Sequence, residues 1–190
     1  MIKVYDFDKT LTYKDTTMMF LFYCCNTLKK SYVKKLFIFI FSASHKLRIL
    51  NNNTFKSLSY NVIFKGKKKK EIENISKAFV IKNSDIFNLL GQQVRANKME
   101  RGIIVTASPK LYVQIYFPHM TVIGTAFSFD KDQVFNGIKM NCFGKNKVIA
   151  LKKLGVSKID EFFTDSFMDM PVMNISKSVF LVKRDIIKKL

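Results

Sequence analysis

At 190 residues, 48% of them hydrophobic, the chain is long enough for one domain with a modest insertion and a sizeable core. Lys and Arg outnumber Asp and Glu 33 to 14, a formal net charge of +19, yet no recognisable nucleic-acid-binding module accompanies that charge. The basic balance is left to three readings: an anionic membrane surface, a phosphorylated substrate, or a plain lysine-rich compositional bias. Three cysteines, Cys24, Cys25 and Cys142, have no metal-ligand spacing and read as buried thiols of a reducing compartment. Asp6 and Asp8 fall where the apolar core of a signal peptide would lie. No apolar run approaches the roughly 20 residues that span a bilayer. The expected location is therefore cytoplasmic, with peripheral contact to a membrane as a further expectation.

In chain order, residues 2–6 read as a short buried strand that ends in Asp6 and Asp8. Residues 15–90 are rich in Phe and Lys. Apolar positions there recur at helical spacing (Met19, Phe20, Tyr23; Val33, Leu36, Phe37, Ile40; Leu47, Ile49), so the block reads as a helical insertion. "NNNTF" (51–55) breaks the pattern. "KGKKKK" (65–70) reads as a solvated basic loop, with an anionic head group as its alternative partner, and a helix is expected from about Lys70. Gly102 opens a strand in "ERGIIVTASPKLYVQIYF" (100–117), with Ile103–Val105 as its buried core. "TASP" then turns into a helix with Pro109 in the first turn. "MTVIGT" (120–125) predicts another strand, and "AFSFDKDQVFNGIKMNC" a hairpin about Asn136-Gly137. "NKVIALKKLG" predicts a helix ending at Gly155, "IDEFFTDS" a strand with an acidic end, and "SVFLVK" (178–183) a last strand. Strands alternating with helices indicate an α/β fold with a parallel sheet, in which ligands bind outside the carboxyl ends of the strands. Asp6, Thr106 and Asp165 all lie at such ends.

Four segments in order, "DFDKTLT" (6–12), "VTASP" (105–109), "GKNKVIAL" (144–151) and "FTDSFMDMP" (163–171), resemble the motifs of the haloacid dehalogenase (HAD) superfamily. The subclass resembled is the phosphoserine-phosphatase-like one, with a helical cap between the first and second motifs. "TASP" and "TDSFMDMP" are similar in particular to the branch that includes phosphatidylglycerophosphatase C-like enzymes. A lone D-x-D-x-T is a weak signal; four motifs in order across residues 4–171 are a strong one. The resemblance implies a Rossmann-like three-layer core with a parallel sheet, built from residues 1–14 and 91–190, and an α-helical cap of residues 15–90.

The resemblance also implies roles. Asp6 is the expected nucleophile, forming an aspartyl-phosphate, and Asp8 the general acid and then base. Two carboxylates this close push their pKa values apart, which suits one anionic nucleophile and one proton carrier. Mg²⁺ would offset their repulsion, held by the Asp6 carboxylate, the Asp8 backbone carbonyl and the Asp165 carboxylate. Thr106 is the expected phosphate-binding hydroxyl, with the Ala107 amide and Ser108 beside it. Lys147 is preferred to Lys145 as the cation facing the phosphoryl group. Thr10, Ser166 and Asp169 are supporting residues, Asp169 by orienting Lys147 or the metal's surroundings. His45 and His119 have no companions and read as structural.

An acid at Asp8 implies, by the same resemblance, quick hydrolysis, and so a phosphatase ahead of a phosphomutase. The expected activity is Mg²⁺-dependent hydrolysis of a phosphomonoester. The long, Phe-rich, basic cap suits a lipid-linked or sugar phosphate; packing of the Phe residues on each other would leave a phosphoserine-like or other small ester equally suitable. The reading from a different class is a non-catalytic HAD-fold protein that binds a phosphorylated ligand or acts as a scaffold. The filled catalytic positions favour the enzyme.

Overall fold

A computed structural model describes residues 1–27, 31–97 and 102–190. Glu100 and Arg101, the first two residues of the segment read as opening the second strand, lie outside the described residues.

Among the described residues the strands are β1 (Lys3–Tyr5), β2 (Ile103–Pro109), β3 (Thr121–Phe129), β4 (Phe135–Met140), β5 (Ile159–Thr164), β6 (Ser176–Lys183) and β7 (Ile186–Lys189). They form one sheet in the order β4-β3-β2-β1-β5-β6-β7. The five central strands are parallel, and β4 and β7 close the edges antiparallel. Helices α1 (Thr16–Thr27), α2 (Ser31–Lys46), α3 (Asn52–Phe64), α4 (Lys69–Lys82) and α5 (Leu89–Ala96) lie between β1 and β2. α6 (Lys110–Tyr116), α7 (Lys145–Lys153) and α8 (Met170–Met173) follow β2, β4 and β5. The α/β fold with a mostly parallel sheet is thus as the alternating pattern indicates.

Successive side chains of a strand point to opposite faces, and the buried strands here are apolar on both. Tyr5 and Ile104 enter one core with Phe20, Phe79, Tyr112 and Phe117. Val4, Ile103, Val105 and Phe162 enter the other with Leu151 and Val172. The abundant Phe residues fill the first core. Phe20 and Phe79 pack at 4.9 and 5.2 Å from the Tyr112 ring, and Phe64 at 5.6 Å from Phe127. Helices α1, α3 and α4 therefore share one core with the sheet. The three cysteines are free and buried.

Several local expectations change. The β3–β4 turn is at Asp130–Val134, not Asn136-Gly137. The Asp130 carboxylate accepts from the amides of Asp132 (2.9 Å) and Val134 (2.8 Å), which fixes the turn there. Asn136 and Gly137 sit inside β4, where Gly137, at φ 117°, takes up a register shift opposite Ser128. β2 runs on through "TASP" to Pro109, and α6 starts only at Lys110, so Pro109 precedes the helix in an extended conformation. "NNNTF" does not separate helices so much as start one: Asn51 caps α3 by accepting from the Thr54 amide at 2.9 Å. "SVFLVK" is not the last strand, because β7 folds back on β6. The loop at 65–70 is pinned by its backbone to the β3–β4 hairpin, with the Lys69 amide on Gln133 O at 2.8 Å. α4 begins at Lys69, α7 ends before Gly155, and β5 ends at Thr164, close to their expected bounds.

Candidate active site

The site is built where β1, β2 and β5 end. Asp6 extends the parallel ladder past β1, its amide donating to Phe163 O at 2.8 Å. The chain then turns sharply. Lys9 takes the left-handed region at φ 58°, and Thr12 Oγ1 ties the turn by accepting from the Lys9 amide (3.1 Å) and donating to Lys14 O (2.8 Å). This turn presents Asp6 and Asp8 to one cavity of about 320 Å³, whose wall also includes Lys147, Asp165, Asp169 and Lys56.

Lys147, the third residue of α7, is 3% exposed. Its Nζ donates to Asp6 Oδ1 at 2.8 Å and lies 2.7 Å from Asp169 Oδ1. Thr164 Oγ1 donates to Asp169 Oδ2 at 2.9 Å and fixes that carboxylate. Burial alone would lower the Lys147 ammonium; Asp6 and Asp169 outweigh it and hold it protonated. Burial pushes Asp6 upward against the pull of Lys147, with Asp169 adding repulsion. Two carboxylates thus share one ammonium. Lys145 is exposed at the start of α7.

Asp8 is held differently. Its Oδ1 accepts from the Thr16 amide (2.6 Å) and Thr16 Oγ1 (2.5 Å), and its Oδ2 from Ser108 Oγ (2.5 Å). Ser108 Oγ in turn accepts from the Tyr112 hydroxyl at 2.8 Å, and Thr17 Oγ1 lies 2.7 Å away. Burial pushes Asp8 upward, Asp15 adds to this, and the bonds from Ser108 and Thr16 oppose it. The first two carboxylates therefore sit in unlike surroundings, one against an ammonium and one against hydroxyls.

The other expected residues are placed as follows. Thr106 is fully buried, its Oγ1 accepting from the Ser108 amide at 3.0 Å, and Ala107 rather than Thr106 lines the cavity. Asp165 is half-buried on the cavity wall; burial raises it and Lys9 partly offsets that. Ser166 Oγ accepts from the Met168 amide at 3.2 Å and caps the short turn that carries Asp169. Thr10 is buried, and its Oγ1 has no hydrogen-bond partner among the described residues. His119 Nε2 lies 3.3 Å from Val94 O, away from the cavity. His45, expected to be structural, does bond Leu50 O at 2.8 Å, but it also lines the cavity and stacks on Phe55 at 5.1 Å.

Lys56 is the residue that the sequence reading missed. It is 3% exposed, and its Nζ donates to the Ala107 carbonyl and to Asn141 Oδ1 (3.3 Å). Asn141 donates to Asn52 Oδ1 (2.9 Å) and Asn53 Oδ1 (2.5 Å), and Thr125 Oγ1 donates to Ala107 O (2.6 Å). The first turns of α3 are thus fastened to the end of β2 and to the residue after β4. Burial brings the Lys56 ammonium down to about 8, with Asp8 and Asp15 resisting. The available signal was positional: Lys56 shares the inward side of α3 with Ser59, Tyr60 and Ile63, at helical spacing.

Among the described residues, no group of three His, Cys, Asp or Glu side chains forms a metal cage. Asp6 and Asp165 nevertheless bring two carboxylates to one cavity. A hard cation that keeps several waters asks for one or two carboxylates, so this donor set fits such an ion.

The family model of the haloacid dehalogenase-like hydrolases matches residues 4–174. The chain belongs to this family. Its four motif segments are the ones that meet at the cavity. Among solved structures, a protein of unknown function from Bordetella pertussis Tohama I shares this fold, 14% identical, over 91% of this chain and 85% of that one at a TM-score of 0.76. A phosphoserine phosphohydrolase-like protein from Francisella tularensis subsp. tularensis SCHU S4 is 13% identical over 93% and 84% of the two chains, at 0.65. A phospho-aspartyl intermediate analogue of phosphoserine phosphatase is 11% identical over 94% and 84%, at 0.55. No curated protein matched the chain by sequence. At these identities the structural neighbours establish the fold, and the second and third are named for the phosphoserine-phosphatase-like kind that the motifs resemble.

Proposed function

We propose that this hydrolase cleaves phosphomonoesters through an aspartyl-phosphate on Asp6, with Mg²⁺ as cofactor. The observation that carries the reading is the pair of unlike carboxylates: Asp6 against Lys147 and Asp169, Asp8 against Thr16 and Ser108. An Asp6 oxygen attacks phosphorus as the ester P–O bond breaks, and Asp8 gives its proton to the leaving oxygen. Asp8, now a carboxylate, takes a proton from water as that water attacks the phosphoryl group, which frees phosphate and restores Asp6. Its buried position favours the protonated form that the first step needs. Lys147, held by Asp169 and Thr164, supplies positive charge where the equatorial oxygens gather negative charge. Asp6, the Asp8 carbonyl and Asp165 would hold Mg²⁺, which supplies Lewis-acid polarisation and charge neutralisation when bound. A phosphoserine phosphatase neighbour captured as a phospho-aspartyl analogue supports the covalent route.

Residues 15–90 serve in this proposal as a cap over a core of residues 1–14 and 91–190. Met18, His45 and Phe55 line the cavity from the cap side. The apolar Met18 and Phe55 beside cationic side chains favour a lipid-linked phosphate, with a sugar phosphate as the more polar alternative.

Phosphate release with and without Mg²⁺, from a phosphatidylglycerophosphate, a polyprenyl phosphate, sugar phosphates, phosphoserine and an aryl phosphate, tests the reading. Metal-dependent release that disappears in Asp6→Asn is expected. No release from any ester would leave a phospholigand-binding protein, and transfer of the phosphoryl group between two positions of one molecule would make it a mutase.

A further inference from the structure

Helix α2 has its apolar face on the wrong side for a core. At about 100° per residue, Phe39, Tyr32, Ala43, Leu36, Ile40, Val33 and Phe37 fall on one continuous arc of roughly 160°. None of them is charged. Tyr32 is 85% exposed, Leu36 59% and Phe39 66%. The opposite side of the same helix carries Ile38, which is fully buried, so α2 is packed normally against α1 and α3 on that side. The chain leaving α2 adds Leu47 and Ile49, both more than two-thirds exposed. Lys46 and Lys35 run along one edge of the arc, and Arg48 follows the helix. Large contiguous apolar patches of this kind mark interaction surfaces.

We infer that the outer face of α2 docks this protein on an anionic bilayer surface. A helix with an uncharged apolar face and a basic edge lies in the plane of a membrane interface. No helix among the described residues is long and apolar enough to cross one. Charge decides between occupants. The chain carries +19, so two copies meeting face to face bring like charges together, whereas anionic head groups attract the same face. The docked orientation has a chemical consequence. Ser42 and His45, on the side of α2 turned away from this arc, line the catalytic cavity, so docking on the outer side holds the cavity about one helix diameter, roughly 10 Å, from the head-group layer. This rests on the proposed phosphatase reading only for its consequence, the delivery of a membrane-borne phosphate ester to Asp6.

The test is co-sedimentation of the full chain with vesicles of phosphatidylcholine containing about a third phosphatidylglycerol, against phosphatidylcholine alone. Binding to the anionic vesicles is expected, weakened by high salt. The Leu36→Ser/Phe39→Ser variant is expected to partition about tenfold more weakly, with unchanged melting and unchanged turnover of an aryl phosphate. Tyr32→Ser provides a second, milder variant, expected to weaken binding to a smaller extent. Failure of the parent chain to bind anionic vesicles, equal binding to neutral ones, or variants that bind like the parent would each overturn the inference. So would a dimer in solution that Leu36→Ser/Phe39→Ser dissociates while the parent ignores vesicles. Absent vesicle binding with intact phosphate release sinks docking alone; vesicle binding with no phosphate release from any ester sinks the catalytic reading alone.

Discussion

Lys56, from the helical segment between the first two strands, donates through its buried ammonium to the Ala107 carbonyl at the end of β2. Ala107 and Lys56 both line the catalytic cavity, so this bond ties the wall contributed by the helices to the wall contributed by the sheet. It is also an ammonium kept from water, and it titrates accordingly.

For Lys56 the folded-state value, about 8, lies below the unfolded value of 10.5. Between them the unfolded chain binds more protons, so stability from this group rises as pH climbs through that window and is lowest below about 8. The stability of the parent minus that of Lys56→Met should grow by on the order of 3 kcal/mol from pH 8 to pH 10.5. Urea denaturation of both chains across that range measures it; a difference that stays flat means that Lys56 is not titrating inside the fold.

Removing Lys147 should be severe. Lys147→Ala leaves Asp6 and Asp169 buried with no ammonium between them, a loss of about 3–5 kcal/mol. In any folded fraction, kcat should fall about 10²–10³-fold. Lys145→Ala, at an exposed position, should change neither quantity measurably, and a comparable loss there would reverse the assignment.

Ser108→Ala removes one of the donors that hold the Asp8 carboxylate, and it leaves the Tyr112 hydroxyl with Thr16 Oγ1, 2.8 Å away, as its remaining partner. The expected result is a melting loss of about 1–3 kcal/mol and a fall in kcat larger than any change in KM. Ser108→Thr, which keeps the hydroxyl, should recover part of the rate.

Stripping divalent cations with EDTA should abolish turnover, and Mg²⁺ should restore it. Mg²⁺ should also raise the melting temperature of the parent, because binding to the folded state alone stabilises it. Asp165→Asn should blunt that rise. A melting temperature indifferent to Mg²⁺ in the parent would remove the metal from this cavity.

Gly124 passes close behind the end of β2: a Cβ there would lie 2.8 Å from Ser108 O and 2.9 Å from the Lys110 amide. Gly124→Ala should therefore push that segment out of place, costing about 1–3 kcal/mol by denaturation and lowering kcat. A variant as stable and as active as the parent would show that the backbone there yields freely.

Much of the site was legible in the sequence because its residues sit at strand ends that apolar runs mark. The run "KVY" before Asp6, "IIV" before Thr106 and "FF" before Thr164-Asp165 each announce a buried strand. The helices from about Lys70 and up to Gly155 carried ordinary periodicity and stop signals. What stayed hidden depends on long-range partners. Asn136-Gly137 has good turn chemistry, but the Asp130 side chain holds the turn six residues earlier. The four residues of β7 are all exposed and have no buried face to betray them. Lys56 reads as one more lysine until the fold brings Ala107 and Asn141 to it. The periodicity of α2 was correct, but periodicity cannot say whether an apolar face meets a core or the outside.

The shared aromatic core bears on how this hydrolase can lose its activity. Phe20 and Phe79 grip the Tyr112 ring, and the Tyr112 hydroxyl reaches Ser108, which holds Asp8. The helices between β1 and β2 cannot swing away as a loosely hinged lid without dissolving that packing and releasing the Asp8 carboxylate. Unfolding of the helical segment and dismantling of the catalytic turn are then one cooperative event, and heat inactivation should track loss of helical circular dichroism along a single curve.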